Sequence, residues 1–551
     1  MKIHKIYIFM QLRVIFLLII ASFFLTSCGD SNPKSEIDLS VFRYNQPNAV
    51  TSLDPAFARN QTNIWAVDHL FNGLLQFNEA LEIVPCLAKS WEISEDGLVY
   101  RFSLREDIFF HDDPCFSDRK GRKMIAEDVV YSLQRIIDPT INSPGSWIFA
   151  GKLAADSAFV AVDDETFELR LNQPFLPMLG ILTMQYCSIL PKEAVDTYGP
   201  DFRAHPVGTG PYRFKNWIEN QTLILQKNEQ YFESTADQPM PDFDVVRVEF
   251  LGDRNTGYLE FQKGNINFLN GLDASIADQL LESDGSLKAE LADQMDFYKA
   301  PFLNTEYLGI QFGYERSDGA PNPLLIKEVR QALNYGFDRV KMIETLRQNV
   351  GKPANAGFIP LGLPAHDPEK VNGYNFDPAK ARTLLAKAGF PDGQGLPEIE
   401  LKTSSDYLDI CTYITRQWED IGIKSKITVL QSATLRELMR KGEAGFFRAS
   451  WIADYPDAES FMTVFYGENG APPNYTRFNN EVFNSLYDKA LNELDVEKRV
   501  VLYQEMDRIL IEEAPVIFLF YDQSARFSSK DIKGYSQNAF NLLRVKQLKK
   551  Q

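Results

Sequence analysis

LAKSWEISEDGLVYRFSLREDIFFHD, residues 87–112, shows in one stretch how the chain is built. Val99 to Leu104 alternates apolar and polar side chains, as a half-buried strand does. Asp96-Gly97 before it is a turn signal. His111-Asp112-Asp113, after Ile108-Phe109-Phe110, reads as a polar turn rather than a metal site. Downstream, Val129, Val130, Leu133, Ile136 and Ile137 share one face of a predicted helix over Glu127 to Ile137. Thr166 to Leu171 then alternates again.

The same alternation of turns and short apolar runs continues to the C-terminus. Tyr212 to Trp217 and Thr222 to Gln226 predict a hairpin across Ile218–Gln221, and Val245 to Phe250 predicts a strand. Asp377 and Pro378 look like an N-cap followed by proline at the first helical position. That helix runs through Ala381, Leu384, Leu385 and Ala388 to Gly389, a C-terminal stop. Val482, Phe483, Leu486, Ala490 and Leu494 mark another helix. The next is capped by Asp495 and ends before Pro515, with a strand over Val516 to Phe520. Strands and helices mix without a regular βαβ rhythm, which makes the class mixed α/β. The 551 residues suffice for about three or four domains of roughly 150 residues.

Composition excludes several functions. Hydrophobic residues make up 44% and aromatics 13%, enough for large cores and too many for a disordered chain. The formal charge of -18 disfavours a phosphate backbone, so no nucleic-acid partner is expected. Among five histidines there is no H-E-x-x-H, and the chain lacks a G-x-S-x-G elbow, a Walker A loop and a G-x-G-x-x-G. Gly208-Thr209-Gly210 opens no helix, because Pro211 follows. Asp163-Asp164 and Glu512-Glu513 read as solvated surface. No catalytic residue, metal or cofactor is called for.

Lys2, Lys5 and Arg13 precede an apolar run from Val14 to Leu25, broken by Ser22 alone. It is too short for a membrane span, which needs about 20 apolar residues, and it fits a secretory signal. Leu25-Thr26-Ser27-Cys28 resembles a bacterial lipobox, with Cys28 as the lipidated residue and Gly29 to Lys34 as a tether. Export permits disulfides, and Cys86, Cys115, Cys187 and Cys411 allow three pairings or none.

Read in order, the landmarks resemble the extracytoplasmic solute-binding proteins of ABC transporters, in the large family of oligopeptide- and dipeptide-binding proteins. Ser52-Leu53-Asp54-Pro55-Ala56 is similar to the N-terminal motif of that family. Residues 87–91, Asp96-Gly97 and 100–112 match its longest signature, which Ala126 to Leu133 continues. Pro206 to Tyr212 fits V-G-T-G-P-Y. Val329 to Leu333 with Asp338-Arg339 fits V-R-x-A-L…D-R, Asp377 to Phe390 fits D-P-x-K-A-x-x-L-L-x-x-A-G, and Ala514-Pro515 opens the C-terminal block. Tyr231-Phe232 departs conservatively from the usual Tyr-Trp.

The resemblance implies a bilobal, type II periplasmic-binding-protein-like fold with a hinged ligand cleft. The expected parts are a signal peptide (1–27), a tether (28–37), a discontinuous domain I (38–62, 189–298 and 506–551), domain II (63–188) and domain III (299–505). It further implies a monomer, anchored to the cell envelope by its N-terminal lipid, that hands peptides to ABC permease subunits. Nickel chelates, oligosaccharides, opines or haem are the alternative ligands, and a lipoprotein hydrolase or adhesin is disfavoured.

Arg448 to Phe461, RASWIADYPDAESF, resembles the family segment that carries the amine anchor, with Ala458 in place of proline. Asp454 matches the carboxylate that meets a peptide's α-ammonium. A buried ammonium without a partner is costly, so a placed carboxylate sets the register. Trp451 and Tyr455 are expected to wall the first side-chain pocket. Arg448, six residues before Asp454, is expected to fork onto the ligand's carboxylate. Ala58 to Gln61 matches a loop that enters the cleft, where backbone pairing and the side chains of Asn60 and Gln61 are expected to add contacts.

Overall fold

A computed structural model describes residues 39–235, 240–272, 274–316 and 319–551. The signal peptide, Cys28 and the tether over 28–37 lie outside these residues. The Val41–Gln46 strand does not pair with its neighbours in sequence. It lies parallel to Val245–Phe250 and to Phe268–Asn270. Val245–Phe250 continues antiparallel to Thr222–Lys227, which forms the expected hairpin with Tyr212–Ile218.

Two long strands carry this sheet onward. Met295–Ile310 and Val516–Ser529 pair antiparallel over most of their length. One end of Val516–Ser529 pairs with Phe268–Asn270. Toward the other end of Met295–Ile310, Asn304 to Ile310 pairs with Phe446–Ile452. Ile399–Thr403 and Ser425–Val429 follow, parallel to Phe446–Ile452 and to each other. The register of the long pair shifts between Pro301 and Thr305. Sequence reading predicts Val516–Phe520 only; the strand runs nine residues further, to Ser529. Its polar residues Gln523, Ser524 and Arg526 mask the alternation while it stays paired with Met295–Ile310.

A second, four-stranded sheet orders Ala88–Ile93, Val99–Leu104, Thr166–Arg170 and Phe159–Asp163. The Ala126–Ile137 helix packs on it with Val129, Val130, Leu133 and Ile136 of the predicted face inward, while Ile137, at the helix end, is exposed. One core gathers Phe42, Trp65, Tyr100, Phe102, Val129, Leu133, Phe167 and Leu225 with Leu542 to Leu548. Two others lie around the sheet's far half. One holds Tyr307, Phe447, Phe461, Phe483 and Tyr503; the other holds Leu308, Leu401, Trp418 and Phe446. Alternate residues of Phe446–Ile452 thus supply opposite faces.

The expected boundary at 505/506 falls inside the Val496–Glu513 helix, and Tyr503 and Met506, on either side of it, share a core. The predicted caps are formed: Asp377 Oδ1 accepts from Lys380 N at 2.9 Å, and Asp495 Oδ1 from Glu497 N at 3.0 Å. All four cysteines of the described residues are free thiols, Cys86, Cys187 and Cys411 buried and Cys115 half-buried.

The resemblance motifs prove to be packing devices. Asp54 caps the Pro55–Phe57 turn and forms a buried ion pair with Arg135 at 2.9 and 3.1 Å. A Cβ on Gly208 would lie 2.2 Å from Leu70 O, so Pro206 to Tyr212 can approach that helix end only as glycine. Gly210 N donates to Leu70 O at 3.0 Å. His111, buried, makes a 2.9 Å hydrogen bond from Nε2 to Gly210 O. Arg339 donates to Phe518 O and Asn334 O, and Arg330 to Glu513 O, at 2.7–2.8 Å. Both guanidinium groups staple helix ends to the Val516–Ser529 strand and its approach.

Candidate functional site

Asp454 follows the C-terminal end of Phe446–Ile452, where the parallel strands of an open sheet present loops to a ligand. The loop that carries it folds back on Ser460. Trp451 Nε1 donates to Ser460 O at 2.5 Å, and Asp454 N donates to Ser460 Oγ at 3.1 Å. Asp457 accepts from Glu459 N at 2.9 Å and pairs with Arg499 at 2.9 Å. This bracing holds the backbone and leaves the Asp454 carboxylate without a hydrogen bond or ion pair among the described residues. Burial, then the nearby charge of Glu459, pushes its pKa up to about 7. Glu459 is itself buried and accepts from the hydroxyls of Tyr455 and Tyr487. Burial raises its pKa too.

Tyr455 leaves its own half of the sheet and packs into the core around Trp65 and Phe167. A Cβ on Gly180 would touch its side chain at 3.4 Å. Gly180 lies in the Met178–Ile181 helix, shortly before the Gln185–Cys187 turn, and the Pro55–Phe57 turn packs on that turn. Asp454 therefore sits where three segments distant in sequence converge. Tyr186 marks the junction: its hydroxyl is pushed up to about 12, by burial first and by Asp454 second, against the lowering effect of Arg59.

The remaining expected residues are placed as follows. Trp451 is half-buried beside Asp454. Arg448 is bound to Glu306, with side chains 11% and 3% exposed, and its guanidinium stands 2.9 Å from the centre of the Tyr407 ring. Asn304 joins this cluster at 3.0 Å from Glu306 Oε1. Asn60 is the N-cap of the Gln61–Leu70 helix, accepting from Asn63 N at 3.0 Å. Gln61 Nε2 reaches Asn541 O at 3.5 Å. Sequence reading singles out none of Glu306, Tyr407, Tyr186 or Gly180. Glu306 lies 142 residues before Arg448, and only sheet register brings them together. Among the described residues no group of His, Cys, Asp and Glu is arranged to hold a metal, and no helix is long and apolar enough to cross a membrane.

The family model for bacterial extracellular solute-binding proteins, family 5 Middle, matches residues 82–473. The chain belongs to this family. This family 5 chain has the fold of type II periplasmic binding proteins and is a substrate-binding protein of ABC importers. It is 29% identical to heme-binding protein A of Haemophilus influenzae, over 96% of this chain and 98% of that one. It is 27% identical to the periplasmic murein peptide-binding protein MppA of Escherichia coli, over 88% of each. The structure of the ABC transporter-associated periplasmic binding protein DppA from Helicobacter pylori, in complex with the peptide STSA, superposes with a TM-score of 0.75. There the identity is 26%, covering 93% of this chain and 98% of that chain.

Proposed function

We propose that this solute-binding protein captures peptides, with Asp454 as the anchor for the α-ammonium, and delivers them to the permease of an importer. The observation that carries the reading is a half-buried carboxylate with a raised pKa and no hydrogen bond or ion pair of its own among the described residues. A cation entering the site replaces the water that burial removes, which a neutral or anionic ligand cannot do. Trp451 and Tyr455 flank the anchor and would wall the first side chain, and backbone of Ala58 to Gln61 would add main-chain contacts. MppA and DppA, named above for the peptides they bind, support the same class. Haem, the ligand in the name of the Haemophilus relative, has no amine and would leave Asp454 unpaired. The protein performs no catalysis in this reading.

Two lobes close over the ligand. Residues 63–188 with the first sheet segments form one, and 299 to about 521 form the other. The register shift between Pro301 and Thr305 supplies the hinge, since the long strands lose their ladder there. The contact of Tyr455 with Gly180 joins the lobes in the closed state. Cys28 carries the lipid that keeps the mature, monomeric protein at the envelope. Replacing Cys28 with alanine is expected to move it from the membrane fraction to the soluble one.

The function is tested on soluble protein beginning at residue 29. Native mass spectrometry is expected to show a ladder of peptide masses, absent from Asp454→Ala. Removing the partner of a buried ammonium costs about 2–5 kcal/mol, enough to empty the cleft. A single non-peptide mass in the wild type would move the ligand to haem, a nickel chelate, an oligosaccharide or an opine.

A further inference from the structure

The acidic end of the ligand needs its own partner, and the fold has already bound the expected one. The Arg448 guanidinium is paired with Glu306 and covered by the Tyr407 ring. Together the Arg448 and Glu306 side chains carry no net charge. The neighbouring cations are engaged as well: Arg347 with Asp522 at 2.6 Å and Arg499 with Asp457 at 2.9 Å. Lys152 is covered by burial, 5.2 Å from the centre of the Phe175 ring and within the field of Glu459.

Arg59 differs from all of these. It is exposed, and its guanidinium has no hydrogen bond or ion pair among the described residues. Its backbone is held firmly. Arg59 N donates to Phe57 O at 2.8 Å, and Asn63 Nδ2 donates to the same oxygen at 3.2 Å. Ser143 Oγ donates to Ala56 O at 2.6 Å. Asn60, the next residue, caps a helix, and the Asp54–Arg135 pair fixes the turn before it. The Pro55–Phe57 turn just before Arg59 packs on the Gln185–Cys187 turn, and Tyr455 packs against Gly180, five residues before that turn. Asp454 and Arg59 thus bring opposite charges to one junction, and both act on the Tyr186 hydroxyl within it.

Building on the peptide reading, we propose that Arg59, and not Arg448, receives the ligand's carboxylate, so that the site selects short zwitterions spanning from Asp454 to Arg59. The backbone that carries this guanidinium is already ordered, so only side-chain freedom is lost on binding, and its planar fork suits a carboxylate. Glu306 and Arg448 then serve as a neutral wall.

The test offers the soluble protein an equimolar pool of tripeptides with free termini, and the same pool amidated at the C-terminus, each read by native mass spectrometry and calorimetry. The wild type is expected to prefer free carboxylates by about tenfold or more, the worth of a charged hydrogen bond. Arg59→Gln is expected to erase that preference while still binding amidated peptides. The double variant Glu306→Gln with Arg448→Gln removes both charges of the pair and is expected to keep the preference. Equal binding of both pools by the wild type, a preference that survives Arg59→Gln, or one lost in the double variant overturns the role of Arg59 and leaves the peptide reading standing. Binding of neither pool overturns the peptide reading and this inference with it.

Discussion

Asp454 is one residue with a measurable signature. Its folded pKa, about 7, lies above the ordinary 3.8, so ionisation works against the ligand-free fold. That penalty is absent below the ordinary value, grows as pH rises between the two, and is complete above about 7. Asp454→Asn mimics the protonated form. The variant is expected to melt slightly above the wild-type temperature near pH 5 and several degrees above it near pH 8, by scanning calorimetry of ligand-free protein. An equal difference at both pH values would show that burial does not control this carboxyl. Motif matching finds Asp454, but Glu459 and the two tyrosines that shape its surroundings come from packing. Arg448 shows the limit of an offset: six residues before the aspartate is legible, whereas the Glu306 that binds it is brought close by the Asn304 to Ile310 pairing.

Among the elements, the legible ones were those whose signals are local. The caps at Asp377 and Asp495 and the hairpin across Ile218–Gln221 need only neighbours within a few residues. The Pro206 to Tyr212 block is legible as a motif but not as a reason, which is the close passage over Leu70. Gly208→Ala puts a methyl group 2.2 Å from a backbone oxygen and against the Phe71 ring. Overpacking of this kind costs about 1–3 kcal/mol, and a urea melt is expected to show the midpoint lowered with its slope unchanged. The Met295–Ile310 strand carried no usable signal, because Pro301 interrupts it and its two ends face different surroundings.

For the whole molecule, the proposed closure would run through a small residue at a contact between segments far apart in sequence. A Cβ on Gly180 would lie in ordinary contact with Tyr455, at 3.4 Å. Gly180→Ala is expected to bind as the wild type does. Gly180→Leu is expected to keep the fold by circular dichroism, to bind peptide more weakly, and to show a larger radius of gyration by small-angle scattering in saturating peptide. A compact, tightly binding Gly180→Leu would mean that the lobes do not close through Tyr455.

By itself, the amino-acid sequence determined the class, the order of most elements, the family resemblance and the location of Asp454. Each rests on periodicity, caps, or a motif read along a continuous stretch. Tertiary structure decided what those residues face. Val41–Gln46 joins strands two hundred residues away, Arg448 meets Glu306, Tyr455 reaches Gly180, and Asp454 remains without a partner among the described residues. Register and burial set these relations between distant segments, and none of them can be read along a continuous stretch of chain.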